Sequence, residues 1–305
     1  MTLRNKVTLL FAIILIGTGS CSRNTEKSPD YSFEQYIRFN HLYIVIDSTT
    51  YELLSGSNSF LKEFSGVVES QSDSKDESWS GKYLYGKGHY LEIFKPGGYP
   101  GSTLGNVGLG FMPTKMGTLD SLYKRWSQTE DSVDRKDRTI LDNGVNYPWF
   151  TALSIYDADS LQLRVFLLEN AKEDMLYSGF TEKDLQGEIE YWDYMRYYRA
   201  HVRKTSPDSI RFTKLFEKIE TIHLTVSEKE LHMLTQHLQD FGFQLQGRTF
   251  RGRDIDITYN LDNNPHRLLQ RIDFKLTDSL AAAEFTLNKL SITVKGRNAS
   301  FRFQN

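Results

Sequence analysis

Phe39-Asn40-His41-Leu42-Tyr43-Ile44-Val45-Ile46-Asp47 decides the fold. It is a β-prone run in which His41, Tyr43 and Val45 share one face and Leu42 and Ile44 the other. Asp47 to Thr50 can cap a helix, and apolar positions at Leu53, Leu54, Phe60, Leu61 and Phe64 suit two short helices broken near Gly56. Strands follow from Val67, over Trp79 to Tyr85 and over His89 to Phe94, the last two joined by Gly86-Lys87-Gly88. After a Gly/Pro stretch, Pro96 to Gly105, the order restarts. Val107 to Phe111 reads as a strand and Leu119 to Trp126 as a helix. Arg138 to Leu141, Trp149 to Tyr156 and Leu161 to Glu169 read as strands. Residues 39–94 and 107–169 therefore repeat one order, β-α-β-β-β, with little repetition of letters.

The order appears a third time. Ile219 to Val226 is a strand, and Ser227 with Glu230 three residues later forms a capping box. Leu231, Leu234, Leu238 and Phe241 then line one helix face. Strands are expected over 244–250 and 254–259. A degraded fourth unit starts at Ile272 to Leu276 and ends in a hairpin of Leu290 to Val294 and Ala299 to Phe303, turning at Lys295 to Asn298. Glu182 to Lys204, rich in tyrosine, reads as a connecting helix. Its run from Tyr191 to Tyr198 packs between the halves or forms a lid. The expectation is an α+β protein of repeated β-α-β-β-β modules in two halves. Residues 34–175 form one pair, 176–218 a helical connector and 219–305 a second, degraded pair.

The N-terminus reads as an export signal. Arg4 and Lys6 precede the apolar run Val7 to Gly17, which is too short for a permanent span of about 20 residues. Thr18-Gly19-Ser20 then leads to Cys21, the only cysteine in the chain. Residues 1–20 read as a lipoprotein signal peptide, and 21–33 as a lipidated Cys21 with a polar tether. The localisation implied is the cell envelope, at the inner or outer membrane, facing periplasm or exterior. Multiple acyl chains on Cys21 make a stable anchor. With Cys21 used, no thiol remains for disulfides, metal or catalysis. A net charge of −2 gives no basic excess for nucleic acid. No GKS or GKT motif marks a phosphate loop, and no GxSxG marks a nucleophile elbow.

Paired β-α-β-β-β modules resemble the glyoxalase, or vicinal oxygen chelate, superfamily. FNHLYIVID resembles a first module strand, HYLEIF that module's last strand and LRVFLLEN the last strand of the second module. FNHLYIVID, KYLYGKGHYLEIFKP and GNVGLGF together resemble a glyoxalase-like family of bacterial secreted proteins whose function is not settled. The resemblance implies a cup around a divalent metal (Mn, Fe, Ni or Zn), with His41, Glu92 and Glu169 as ligands. Asn106 stands where a second histidine is expected. An oxygen-rich set suits Mn, Fe or Mg better than structural zinc. Such a metal would polarise vicinal oxygens of a substrate.

From the residues alone, Glu92 lies between two aromatics on a strand flank. It either meets a partner, faces solvent or pairs with Lys82, and His41 is equally a backbone-bonded strand histidine. Tyr43, Tyr83, Tyr85, Tyr90 and Asn106 are candidates for a ligand pocket, against cross-strand packing. Two functions are open. One is a membrane-anchored lipoprotein whose cup binds a small-molecule ligand or partner. The other is a metal-dependent lyase, isomerase or dioxygenase acting on a small oxygenated molecule.

Cys21→Ser should abolish incorporation of a palmitate analogue and shift the chain to the aqueous phase on detergent partitioning. Wild-type protein that takes up no label and partitions to water would show that Cys21 carries no lipid.

Overall fold

The computed structural model describes residues 33–304 apart from 55–58, 66, 74–77, 131, 143, 156–160, 198–214 and 264–267. The signal, Cys21 and most of the tether lie outside the described residues. Phe33–Asn305 is one compact unit. Among the described residues no helix is long and apolar enough to cross a membrane.

The first module runs through β1 (Ile37–Val45), α1 (Ser48–Leu54), α2 (Ser59–Phe64), β2 (Val68–Asp73), β3 (Ser78–Tyr85) and β4 (Tyr90–Phe94). The second runs through β5 (Val107–Pro113), α3 (Thr118–Thr129), β6 (Val133–Asp142), β7 (Val145–Ile155) and β8 (Leu163–Asn170). In each, the first strand pairs parallel with the last. The modules join where β1 meets β5 antiparallel, giving one eight-stranded sheet in the order β2-β3-β4-β1-β5-β8-β7-β6. Trp79 on β3 and Trp149 on β7 meet edge to face at 6.2 Å, so the sheet curls until its two ends approach. Two matching modules in a curled sheet are the glyoxalase-like arrangement.

The third module follows the same plan. β9 (Phe216–Val226) leads to helix α5 (Glu228–Asp240), then β10 (Gln244–Gln246), β11 (Thr249–Arg251) and β12 (Asp256–Leu261), with β12 parallel to β9. α4 (Lys172–Tyr177) precedes it at the end of the first sheet. Ser227 and Glu230 form the expected capping box. The stretch expected as one strand over 244–250 is a tight hairpin, turned by Gly247 at φ 61°. The fourth unit has lost its helix. β13 (Leu269–Leu287) takes the place beside β9 that β5 holds beside β1, and β14 (Leu290–Phe303) returns along it. The hairpin turn is at Asn288-Lys289, with Asn288 left-handed at φ 50°, and not at Lys295 to Asn298. Gly296 instead lies at a register shift within the ladder, where β13 absorbs extra residues between Lys275 and Ala283. The second sheet has the order β10-β11-β12-β9-β13-β14. Of the connector expected as one helix, only a 3₁₀ turn at Asp184–Gln186 and a helix over 191–197 form; 198–214 lie outside the described residues.

One apolar core serves both sheets. Leu42, Ile44, Leu91, Ile93, Leu109 and Phe111 from the first sheet share it with Ile222, Phe274 and Phe301 from the second. The helices lie between. Phe64 of α2 stacks on Phe216 at 4.9 Å, and Phe111 meets Phe241 at 4.8 Å. Trp126 of α3 donates to Asp240 at the end of α5 (2.6 Å), beside an Arg125–Asp240 ion pair (2.7 Å). Both sheets thus turn their apolar faces to shared helices, which leaves the opposite face of each for other uses.

His237 of α5 is part of this core. Its Nε2 accepts the Ile155 amide (3.0 Å), so its proton sits on Nδ1 and is donated to the Met233 carbonyl (2.9 Å). Burial lowers its pKa from 6.5 to about 4. Above pH 6.5 the ring is neutral in both folded and unfolded chains. As pH falls from 6.5 towards 4 the unfolded chain takes up a proton that the folded one refuses, and stability drops. His237→Gln should flatten the fall of the urea midpoint between pH 7 and pH 4.5; an unchanged slope would contradict this assignment.

Candidate functional site

Strand register writes the inner face of the curled sheet as rows. One row reads Tyr83, Glu92, Tyr43, Gly108 and Arg164, across β3, β4, β1, β5 and β8. The next reads Tyr85, Tyr90, His41, Gly110 and Phe166 across the same strands. The sequence alternation forces this, because Leu84, Leu91, Leu42, Leu109 and Val165 occupy the intervening positions and face the core. All four expected pocket tyrosines therefore share the cup face.

The two glycines explain how the rows pack. A Cβ on Gly108 would lie 1.9 Å from the Tyr43 ring, and one on Gly110 would lie 2.3 Å from the His41 ring. Each β1 ring thus lies flat across β5 and reaches β8. His41 is stacked on Tyr90 at 4.6 Å and meets Phe166 at 5.6 Å. Tyr191, from the helix over 191–197, stacks on Tyr90 at 5.9 Å. An aromatic column of His41, Tyr90 and Tyr191 results. Tyr83 and Tyr85 stack on each other at 6.0 Å. A second cluster, Tyr43, Val45, Phe94 and Tyr99 with Trp79 and Phe166 against it, fills the adjoining part of the cup. Tyr99 comes from the Gly/Pro stretch, where Gly97 and Gly101 at φ 80° and 74° fold the chain back and Ser102 holds the Tyr99 amide (3.2 Å).

The titratable groups of the cup are tuned by burial. His41 shares a hydrogen bond with Asn40 Oδ1 (2.8 Å), and desolvation lowers its pKa to about 3, so it is a neutral ring at all ordinary pH. Desolvation raises Glu92 to about 8, with the nearby Tyr90 hydroxyl working in the opposite direction. Glu92 is half-buried and among the described residues has no ion pair. Lys82 is not its partner. That side chain faces the core, donates to the Tyr51 carbonyl in α1 (2.6 Å) and lies over the Tyr51 ring.

The three expected metal ligands do not converge. Glu169 has the parity of Leu163, Val165 and Leu167, and so points to the helix side of the sheet. There it accepts the amides of Gly117 (2.9 Å) and Leu119 (3.1 Å). Gly117 precedes α3 and has no side chain to cap it, so the carboxylate of β8 satisfies these free N–H groups. His41 is enclosed by rings and shares its Nδ1 hydrogen bond with Asn40. Among the described residues no three His, Cys, Asp or Glu side chains gather as a metal-ligand set. His41, Glu92 and Glu169 thus do not fit a shared divalent cation. Asn106, just before β5, is buried, and its Oδ1 accepts the Thr103 hydroxyl.

Tyr99, Arg164, Phe166 and Tyr191 complete the cup and were not singled out as site residues from the sequence. Arg164 and Phe166 could have been found by strand parity. Tyr99 sits in a loop with no periodicity to read.

A family model covers residues 39–303 and is described as a family of unknown function, DUF5829. The chain belongs to this family. No curated protein matches it. Among solved structures, it is similar to a hypothetical protein from Staphylococcus aureus at 11% identity, over 82% of this chain and 96% of that one (TM-score 0.44). It is also similar to an Mn(II)-bound glyoxalase from Novosphingobium aromaticivorans at 10% identity, over 85% and 77% (TM-score 0.39). An extradiol ring-cleaving dioxygenase from B. fuscum matches at 10% identity, over 73% and 53% (TM-score 0.34).

Glu92 gives the site a pH signature. Its folded pKa of about 8 lies above the ordinary 4.5. As pH rises from 4.5 to 8, the unfolded chain releases a proton that the folded chain keeps, so stability is lost across that window. Glu92→Gln should raise the melting temperature more at pH 8 than at pH 5. An equal gain at both would mean that Glu92 is ionised in the folded protein.

Proposed function

We propose that this family member is a lipid-anchored protein of the cell envelope that binds a small ligand in the cup of its first sheet. The single observation that carries the reading is Glu92. A carboxyl set half-buried among Tyr43, Tyr83 and Tyr90 costs stability at neutral pH, and packing alone does not require it. Side chains that work against the fold in this way concentrate at functional sites. The surrounding tyrosines offer flat apolar faces and hydroxyls, which suits a planar or hydroxylated molecule. The export signal and Cys21 support the envelope location.

The second reading, a metal-dependent lyase, isomerase or dioxygenase, is favoured only by the likeness of the β-α-β-β-β pair to the glyoxalase superfamily. The donor geometry opposes it.

Two measurements on the full-length chain in detergent test the proposal. Metal analysis after purification without chelator should find far less than one divalent ion per chain. Stoichiometric Mn, Fe, Ni or Zn, lost in His41→Ala and Glu92→Ala, would favour the enzyme. A thermal-shift screen of small neutral and charged molecules should find at least one that stabilises wild type and not Glu92→Gln. Compounds that shift both equally, or none that shifts wild type, would count against the cup as the binding site.

A further inference from the structure

Next to Glu92 the cup holds polar groups that folding leaves without employment. Tyr43 and Tyr99 are 7% and 8% exposed, and their hydroxyls have only each other and the Asn106 side chain nearby, none at full hydrogen-bond geometry. Their rings meet at 5.6 Å, 72° apart, and their hydroxyls are close enough to influence each other's ionisation. Leaving one buried hydroxyl unsatisfied costs roughly 1–3 kcal/mol. Two such hydroxyls side by side are better satisfied by an incoming acceptor than by each other.

The neighbours say what kind. Arg164 ends the row Glu92, Tyr43, Gly108, Arg164, and its positive charge acts on both tyrosines. Only Gly108 lies between Tyr43 and Arg164 in that row. A guanidinium can donate but not accept. Asn106 lies beside the Tyr99 hydroxyl, and its Oδ1 is already taken by Thr103, so it offers its amide N–H. Four groups from β1, β8, the Gly/Pro loop and its end thus present donors, one of them cationic. Glu92 is uncharged at pH 7 for the reason given above and adds no repulsion. Arg164, Phe166, Glu92 and Trp79 are each half-exposed, so solvent reaches the edge of the cluster. Its walls are the faces of Phe94, Phe166 and Trp79.

We infer that Tyr43, Tyr99, Asn106 and Arg164 form an oxyanion-binding site, and that the ligand of the cup is a small carboxylate with a flat, apolar body. The carboxylate accepts from the two phenols and the guanidinium, and the body stacks against the rings. This inference rests on the cup being a binding site and adds the chemical class of what enters it.

Benzoate is the probe, with uncharged benzamide as its match in shape, titrated calorimetrically into the full-length chain in detergent at pH 7. Benzoate should bind at least tenfold more tightly than benzamide. Tyr43→Phe/Tyr99→Phe keeps both rings, so it tests the hydroxyls without emptying the cup; it should weaken benzoate at least tenfold and leave benzamide unchanged. Arg164→Gln should abolish the preference, and Arg164→Lys should restore part of it. If benzoate and benzamide bind equally, or the double phenylalanine variant binds benzoate like wild type, the oxyanion inference fails while the cup remains a binding site. If neither binds and the double variant melts higher than wild type, the hydroxyls hold only a buried water, and the inference fails with no support for the cup.

Discussion

The pairing of β1 against β5 is the constraint on which the first half of the molecule depends. It joins two modules into one sheet, and its two faces have opposite needs. On the core side, Leu42 and Ile44 stand beside Leu109 and Val107 and pack on the helices. On the cup side, Tyr43 and His41 stand beside glycines. Any side chain at Gly108 or Gly110 would lift the β1 rings off the sheet and out of contact with Phe166. The shape of the cup floor is therefore set by two missing side chains as much as by the rings that cover them.

The repeat of β-α-β-β-β, the capping box at Ser227 and the cup-side tyrosines were legible because they rest on periodicity and local hydrogen bonding. The failures also have physical causes. The resemblance puts Glu169 among the ligands, but in LRVFLLEN the buried Leu163, Val165 and Leu167 alternate with the half-exposed Arg164 and Phe166, which puts Glu169 on the helix side. The β13–β14 turn was misplaced because Lys-Gly-Arg-Asn looks like a turn, and Gly296 does adopt a positive φ there, but at a shift in the ladder. The Gly/Pro stretch, after which the module order restarts, also delivers Tyr99 into the cup, which only the folded chain reveals.

The second pair of modules shows what happens when the same plan is freed from forming a cup. His223 on β9 lies opposite Thr258 on the parallel partner β12, as His41 lies opposite Tyr90. Across the antiparallel partner, Arg271 stands where Gly110 stands in the first sheet. The arginine side chain fills the space that Gly110 leaves open for the His41 ring. In its place a polar network forms, with His223 Nε2 2.7 Å from Asp273 and Arg271 donating to the same carboxylate. Ser300 closes it from β14. One face became aromatic and enclosed, the other charged and open, from a change at the strand that meets β9.

Loss of the fourth module's helix has a different consequence, at the rim of the second sheet. The first sheet curls until its outer strands, β2 and β6, come near each other. The second ends on β14, 14 residues long, with one side unpaired. Such an edge is a template for a neighbour's strand. Lys295, Arg297 and Arg302 are exposed along it. If two copies met there edge to edge, these cations would crowd one another, so the strand that replaced a helix carries its own deterrent to polymerisation.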